Sequence, residues 1–388
     1  LAPSTSTLVK VFTYGIRESY QYFYKHPTYQ GNFTQAKNRM YTVINFRKRF
    51  ARSEFTVNNG FSFSYANYSS GPLDVNLWQR DFFGAVNYQH FGGRAEFKGG
   101  LTYDTRFARY QGQFPAYAYA FGETYPTDSA SSAQRYQVPE AYAYGKYFLA
   151  PRVTIGGGLR KNVVVGDTRD YLSYQLNVSY RPSKYVTINL SGGRYNKYQL
   201  PQDEQALPIH IQADQYSLDA SMKKGDTEYS LSVFAKQSQY LLTRSTVAGL
   251  EAFARYRISP RLRGQLSLTS LNANLTGGPS PYNIRYFVRG NLEYRPGDTW
   301  TVTAVFLFRE GSYSVPVLSA DYDSTLGVYS PTYGAPTRLP AYRTLDLSVS
   351  KIFPVGESSA IGFLSLSNVF DFRNVRGYSY NFDYTQAA

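Results

Sequence analysis

Between Thr344 and Ser350 apolar and polar side chains alternate without a break: Leu345, Leu347 and Val349 share one face, and Thr344, Asp346, Ser348 and Ser350 share the other. A period of two belongs to a strand, because successive side chains of an extended chain point to opposite faces. Pro, Gly, Glu and Ser residues follow, then a second apolar run from Ile361 to Phe372, so the pair predicts an antiparallel hairpin turning between Pro354 and Ser359. Strands in soluble domains are commonly about five or six residues long. These runs reach ten or more, the roughly 9–11 residues that cross a bilayer at a tilt.

The same alternation returns along the chain. Phe55, Val57, Phe61, Phe63 and Tyr65 oppose Glu54, Thr56, Asn58, Ser62 and Ser64; Ala95, Phe97, Leu101 and Tyr103 oppose Glu96, Lys98, Thr102 and Asp104. The cleanest strand sets Leu172, Tyr174, Leu176, Val178 and Tyr180 against Ser173, Gln175, Asn177, Ser179 and Arg181. Short turns, such as Ala51 to Ser53, Phe91 to Gly93 and Lys223 to Asp226, take turns with longer polar connections. The longer ones are expected at Lys25 to Ala36, Asn67 to Asn76, Ala108 to Pro139, Tyr195 to Ala213, Tyr240 to Ala248, Asn272 to Asn283 and Glu310 to Ala341. About seventeen strands result, with every second connection short. Tight turns on one rim and long loops on the other are the habit of a transmembrane barrel, whereas a sandwich has no reason to keep its long loops on one side. The predicted fold is therefore all-β, a transmembrane antiparallel β-barrel, with residues 1–388 forming one domain.

Parity assigns the faces. The apolar set is expected against lipid, and the polar set, including Arg255, Arg257, Arg285, Arg289, Asn291 and Glu293, against a wet interior. Closure is expected too, because an open sheet edge in hydrocarbon leaves backbone groups unpaired at several kcal/mol each. An odd count conflicts with the even number usual in bacterial barrels. At least one further strand is therefore expected after Ala388, and several before Leu1.

Composition refines this reading. At 43% hydrophobic residues and a mean hydropathy of -0.41 the chain would pass for a soluble protein, and no run approaches the roughly 18 apolar residues of a membrane helix. A barrel strand meets lipid only at alternate residues, so neither observation counts against a barrel. The chain holds 39 Tyr and 26 Phe but only 2 Trp. Tyrosine suits a water–hydrocarbon boundary, where the ring lies in the apolar layer and the hydroxyl in the headgroups; a Tyr-rich soluble β protein or adhesin is the rival on composition alone. Cysteine is absent, which excludes disulfides and thiolate metal sites. The net charge is +14, but no basic tract exceeds Arg47 to Arg49, which argues against nucleic acid. Basic residues so dispersed fit a basic lumen or an anionic surface of outer-membrane lipid and lipopolysaccharide. The opening LAPSTSTLVK carries no charged-then-apolar leader and the chain ends in a polar stretch, as expected of an interior piece of a longer polypeptide.

Arg343, Asp346, Leu347, Ser348 and Val349, followed about twenty residues on by Leu366, Asn368, Val369, Phe370 and Asp371, resemble the C-terminal end of TonB-dependent outer-membrane receptors. In that family an R-x-x-D-L-S-V-S strand precedes an L-x-N-V-F-[ND] strand. Arg343, Asp346, Asn368 and Phe370 are structural members of that motif. The Tyr-rich style is similar to receptors of the Bacteroidetes type. The resemblance implies a barrel of about 22 strands in the bacterial outer membrane, an internal plug, and coupling through a TonB-type partner to an inner-membrane motor. A surface lipoprotein or other envelope subunits are further expected partners.

Candidate chemistry is sparse. His26, His90 and His210 lie far apart, so no catalytic group is expected and the chain reads as a non-enzyme. Gly156 to Gly158 lacks the Lys-Ser pair of a phosphate loop and suits a bending strand instead. No cofactor is expected, although the loop acids Asp203 and Glu204, Asp321 and Asp323, and Asp167 and Asp170 offer the hard oxygen ligands calcium takes. Arg pairs with carboxylate or phosphate and Tyr stacks on rings, so Arg106, Arg109 and Tyr110, at the root of the longest early loop, are the candidate ligand-binding residues. The function expected is uptake of a scarce nutrient, a ferric chelate, cobalamin or a glycan, by energy-coupled plug displacement. The alternatives are a passive porin or scaffold barrel and, further off, a barrel enzyme.

Overall fold

The computed structural model describes residues 6–199, 208–240, 243–276, 278–280 and 283–385. Among them, seventeen long strands run in sequence: β1 (Thr7–His26), β2 (Tyr29–Arg49), β3 (Ser53–Ser70), β4 (Leu73–Phe91), β5 (Ala95–Pro115), β6 (Thr127–Ala150), β7 (Val153–Asn162), β8 (Leu172–Tyr180), β9 (Val186–Gln199), β10 (Ile209–Lys224), β11 (Thr227–Tyr240), β12 (Thr243–Ser259), β13 (Leu262–Leu275), β14 (Phe287–Tyr294), β15 (Trp300–Arg309), β16 (Tyr342–Val355) and β17 (Ser358–Leu366). Each pairs antiparallel with the next, so the sheet is an unbroken up-and-down meander. The strand count and the short turns stand as the alternation implied.

Period-two patterning produces two chemically different faces. Cross-strand partners share a face, and one row runs Phe46, Val57, Val86, Leu101, Ala141 from β2 to β6. Another runs Val178, Leu190, Leu218, Val233, Leu250 from β8 to β12. These apolar residues are not covered by protein: Leu101 is 62% exposed, Leu176 58% and Leu190 55%. The largest fully buried side chains among the described residues are only Val328 and Ser70. A sheet with a continuous uncovered apolar face and almost no protein core is stabilised where hydrocarbon supplies the other half of the contact. The opposite face is polar and internally bonded, with Asn45 donating to Asn58 at 2.8 Å, Asn87 to Thr56 at 3.1 Å and Tyr144 to Asn177 at 3.1 Å.

Several expectations are corrected. The long connections at 25–36 and 67–76 are instead the ends of extended hairpins: β1 and β2 turn within two residues of each other, and β3 turns into β4 at Gly71, whose φ of +53° favours glycine. The loop expected at 108–139 shrinks to 116–126, because β5 and β6 run on to 21 and 24 residues. Tyrosines alternating with small polar residues keep such hairpins paired well beyond what a bilayer requires. Between β15 and β16 two small hairpins form, Tyr313–Ser314 with Thr337–Arg338 and Val317–Asp323 with Val328–Tyr333. Arg338 ties them to the rim by donating to the carbonyls of Asn283 and Gly311 and pairing with Glu310 at 2.9 Å. Arg285 lies in the connection before β14 rather than on the interior face of a strand.

The apolar run to Phe372 stops being a strand at Leu366, since Asn368 and Asp371 adopt φ of +51° and +50°. Among the described residues β1 pairs only with β2 and β17 only with β16, leaving two free edges.

Candidate functional site

The polar face of β4 to β8 carries the densest chemistry. Parity points Asp81 inward although Phe82 and Phe83 follow it, and register sets Asp81 opposite Arg106 and Arg106 opposite Tyr136. Arg106 Nε donates to Asp81 Oδ1 at 2.8 Å, Gln79 donates to Asp81 Oδ2 at 2.8 Å, and the Tyr136 hydroxyl donates to Asp104 at 3.4 Å. Glu140 forms the next node, accepting from Thr102 at 3.0 Å, Arg160 at 3.3 Å and Tyr171 at 3.0 Å. Tyr171 sits in the connection between β7 and β8; burial, reinforced by the Glu140 carboxylate, holds its hydroxyl above the usual phenol range. It therefore stays protonated and donates.

Aromatic rings join this network. Tyr171 and His210 stack with centroids 5.3 Å apart and planes 15° from parallel, Tyr198 lies 5.3 Å from the same imidazole, and Tyr136 lies 6.0 Å from Tyr198. Next to the Asp81–Arg106 pair a hollow of about 610 Å³ opens, lined by Tyr14, Arg39, Tyr41, Ser62, Asp104 and Arg106 among others. Guanidinium groups held by acids, beside phenols and an imidazole, can grip an anionic, oxygen-rich or ring-bearing ligand through directed hydrogen bonds and stacking. The side-chain hydrogen bonds of the two bonded histidines go to Thr28 from His26 (2.9 Å) and to Asn196 from His210 (3.1 Å).

The three residues singled out from sequence divide. Arg106 is in the interior network, and Tyr110 packs on the interior cluster of Ala108, Tyr136, Val138, Tyr171 and Tyr198. Arg109 faces the other way: odd parity turns it to the apolar side, where its Cζ lies 5.9 Å from the Trp78 ring. Asp81, Tyr136, Glu140 and Tyr171 escaped the sequence reading, and Asp104 and His210 stood there only as isolated residues, because four separate strands and a connection deliver the six. The one usable signal was an acid at an interior position beside apolar residues, as at Asp81 before Phe82 and Phe83.

Of the loop acids, Asp203 and Glu204 lie outside the described residues. Asp170 is ion-paired with Lys161, and Asp323 accepts from the backbone of Thr325 and Leu326. Among the described residues no three His, Cys, Asp or Glu side chains converge on one point.

At the other end of the sheet the motif residues do meet. The Asn368 amide N–H donates to Asp346 at 2.7 Å, the Asn368 side chain both donates to and accepts from the backbone of Phe372, and Arg343 lies 4.5 Å over the Phe372 ring. Phe370 is mostly exposed and meets Phe372 edge to face.

A long meander with an apolar outside, a polar inside and this C-terminal corner defines the wall of an outer-membrane β-barrel. The fold is that of TonB-dependent outer-membrane receptors. The ferric yersiniabactin uptake receptor FyuA from Yersinia pestis matches with a TM-score of 0.69 at 14% identity, covering 94% of this chain and 67% of that one. The ferric citrate transporter FecA matches with a TM-score of 0.69 at 13% identity, over 100% of this chain and 66% of that one. The ferric-catecholate import receptor Fiu from E. coli K12, in its closed form, gives 0.62 at 10% identity, over 92% and 62%. The chain thus spans about two thirds of the length of these structures. No family model matches it, and no curated protein does.

Proposed function

We propose that this chain is the wall of an energy-coupled outer-membrane transporter that takes up a scarce nutrient. The carrying observation is the interior network of Asp81, Arg106, Tyr136, Glu140 and Tyr171 beside an open hollow, on a sheet whose other face is apolar and uncovered. A wall that only spans the membrane needs no such concentration of bonded charge and stacked rings. Among ferric chelates, cobalamin and glycans, the arginines and phenols favour a chelate with anionic oxygens. FyuA and FecA, the structures of like fold, are named for ferric ligands, which supports the same choice. The wall performs no covalent chemistry: it binds at the outer face, and a TonB-type partner supplies the work for release. A surface lipoprotein is a further partner of this reading.

The test is uptake by cells carrying the full-length protein, offered ferric chelates, cobalamin and oligosaccharides with and without an uncoupler. The reading expects accumulation of a ferric chelate that stops when the membrane is de-energised and falls about tenfold or more in Arg106→Ala, the scale of a lost charge-assisted hydrogen bond. Accumulation indifferent to the uncoupler would establish a passive pore instead.

A further inference from the structure

The outward face of β4, β5 and β6 carries three arginines that the transport reading does not use. Arg80 and Arg135 are the register partners of Phe107 on either side, and Arg109 is the next residue up β5 on the same face. All three are exposed, and Arg80 and Arg109 ride on rings, with Cζ 5.9 Å from Phe63 and 5.9 Å from Trp78. Arg135 has the side-chain amide of Gln137 as its neighbour. Among the described residues none of the three has a carboxylate within ion-pair distance. The nearby acids Asp81 and Asp104 point inward. Asp74 sits four residues beyond Trp78 on β4 and bonds Asn67, and Asp128 lies seven residues from Arg135 on β6.

Strands about 4.8 Å apart put Arg80 and Arg135 roughly 10 Å from one another across Phe107. Three like charges so close repel unless an anion joins them. Toward the short turns on the same face the next row is Phe82, Thr105 and Gln137, then Gly84, Tyr103 and Pro139, and below these the apolar row of Val86, Leu101 and Ala141. The cluster therefore stands at the upper border of the apolar band, where headgroups lie if that band spans a bilayer.

We propose that Arg80, Arg109 and Arg135 form a binding site for the phosphate of a membrane lipid headgroup, with the acyl chains lying down the wall over Val86 and Leu101. Guanidinium forks match phosphate oxygens in pairs, and the flanking rings hold them splayed. The proposal rests on the reading of this wall as bilayer-spanning.

The experiment is native mass spectrometry of the full-length protein in detergent, titrated with phosphatidylglycerol, phosphatidylcholine or inorganic phosphate. The expected result is selective retention of phosphatidylglycerol. Retention falls about fivefold in Arg109→Gln and roughly a hundredfold in the R80Q/R109Q/R135Q variant, the scale of three arginines near an anionic surface. Equal retention by wild type and triple variant overturns the site, and complete displacement of the lipid by inorganic phosphate overturns a lipid as its occupant. Spin labels at Val86 and Leu101 in reconstituted protein that report water rather than lipid overturn the bilayer-spanning premise itself, an outcome independent of the arginines.

Discussion

Asn368 shows how one side chain sets where this sheet stops. Its left-handed backbone, the hydrogen bond its N–H donates to Asp346 and its two hydrogen bonds with Phe372 turn an apolar run that would otherwise extend β17 into a corner. Asn tolerates that conformation where most residues pay for a crowded Cβ. Asn368→Ala is expected to cost about 1–2 kcal/mol and Asn368→Gly less, since glycine restores the conformation but not the side-chain bonds; thermal unfolding of the full-length protein checks the order. Tyr171 gives a second prediction. Its hydroxyl titrates higher in the folded than in the unfolded protein, so above about pH 10 the unfolded chain releases a proton that the folded one keeps, and stability falls as pH rises further. Tyr171→Phe should remove that alkaline loss, read as a flatter unfolding profile above the same pH.

Strand alternation is the property the sequence states most openly, because a strand exposes its period directly to the eye. Leu176 and Gln175 are neighbours on β8 that face opposite solvents. In reconstituted protein Leu176→Arg should destabilise by about 2–4 kcal/mol, the cost of a charge on the lipid face near the midplane, whereas Gln175→Arg on the wet face should cost far less. Denaturant unfolding in vesicles distinguishes them, and equal costs would reject the assignment of faces. Strand lengths were less legible than strand existence. Polar, Tyr-rich segments such as 67–76 and 127–139 read as loops, yet cross-strand pairing holds them in β3, β4 and β6. Nothing local marks where a hairpin that has left the apolar band should end. The interior network was legible only as scattered charges for the same reason: Asp81 and Arg106 meet through register, which single-strand patterning does not contain.

For the molecule as a whole, the wall has an apolar outside that no protein covers, a bonded polar inside, and two edges, β1 and β17, that pair with nothing described. In hydrocarbon those edges are costly, so the same physics that predicted closure predicts that the assembled barrel pairs them. Hydrogen exchange in reconstituted full-length protein should find the outer-edge amides of β1 protected; exchange as fast as in free peptide would show an edge left open. The central claim is that the two faces of this sheet meet lipid and water, and β8 tests it most directly because the chain has no cysteine to confound labelling. Single cysteines placed from Leu172 to Tyr180, spin-labelled in vesicles, should show collision with oxygen at Leu172, Tyr174, Leu176, Val178 and Tyr180 and with a water-soluble nickel chelate at Ser173, Gln175, Asn177 and Ser179. Accessibility without a period of two, or water at both sets of positions, would contradict it.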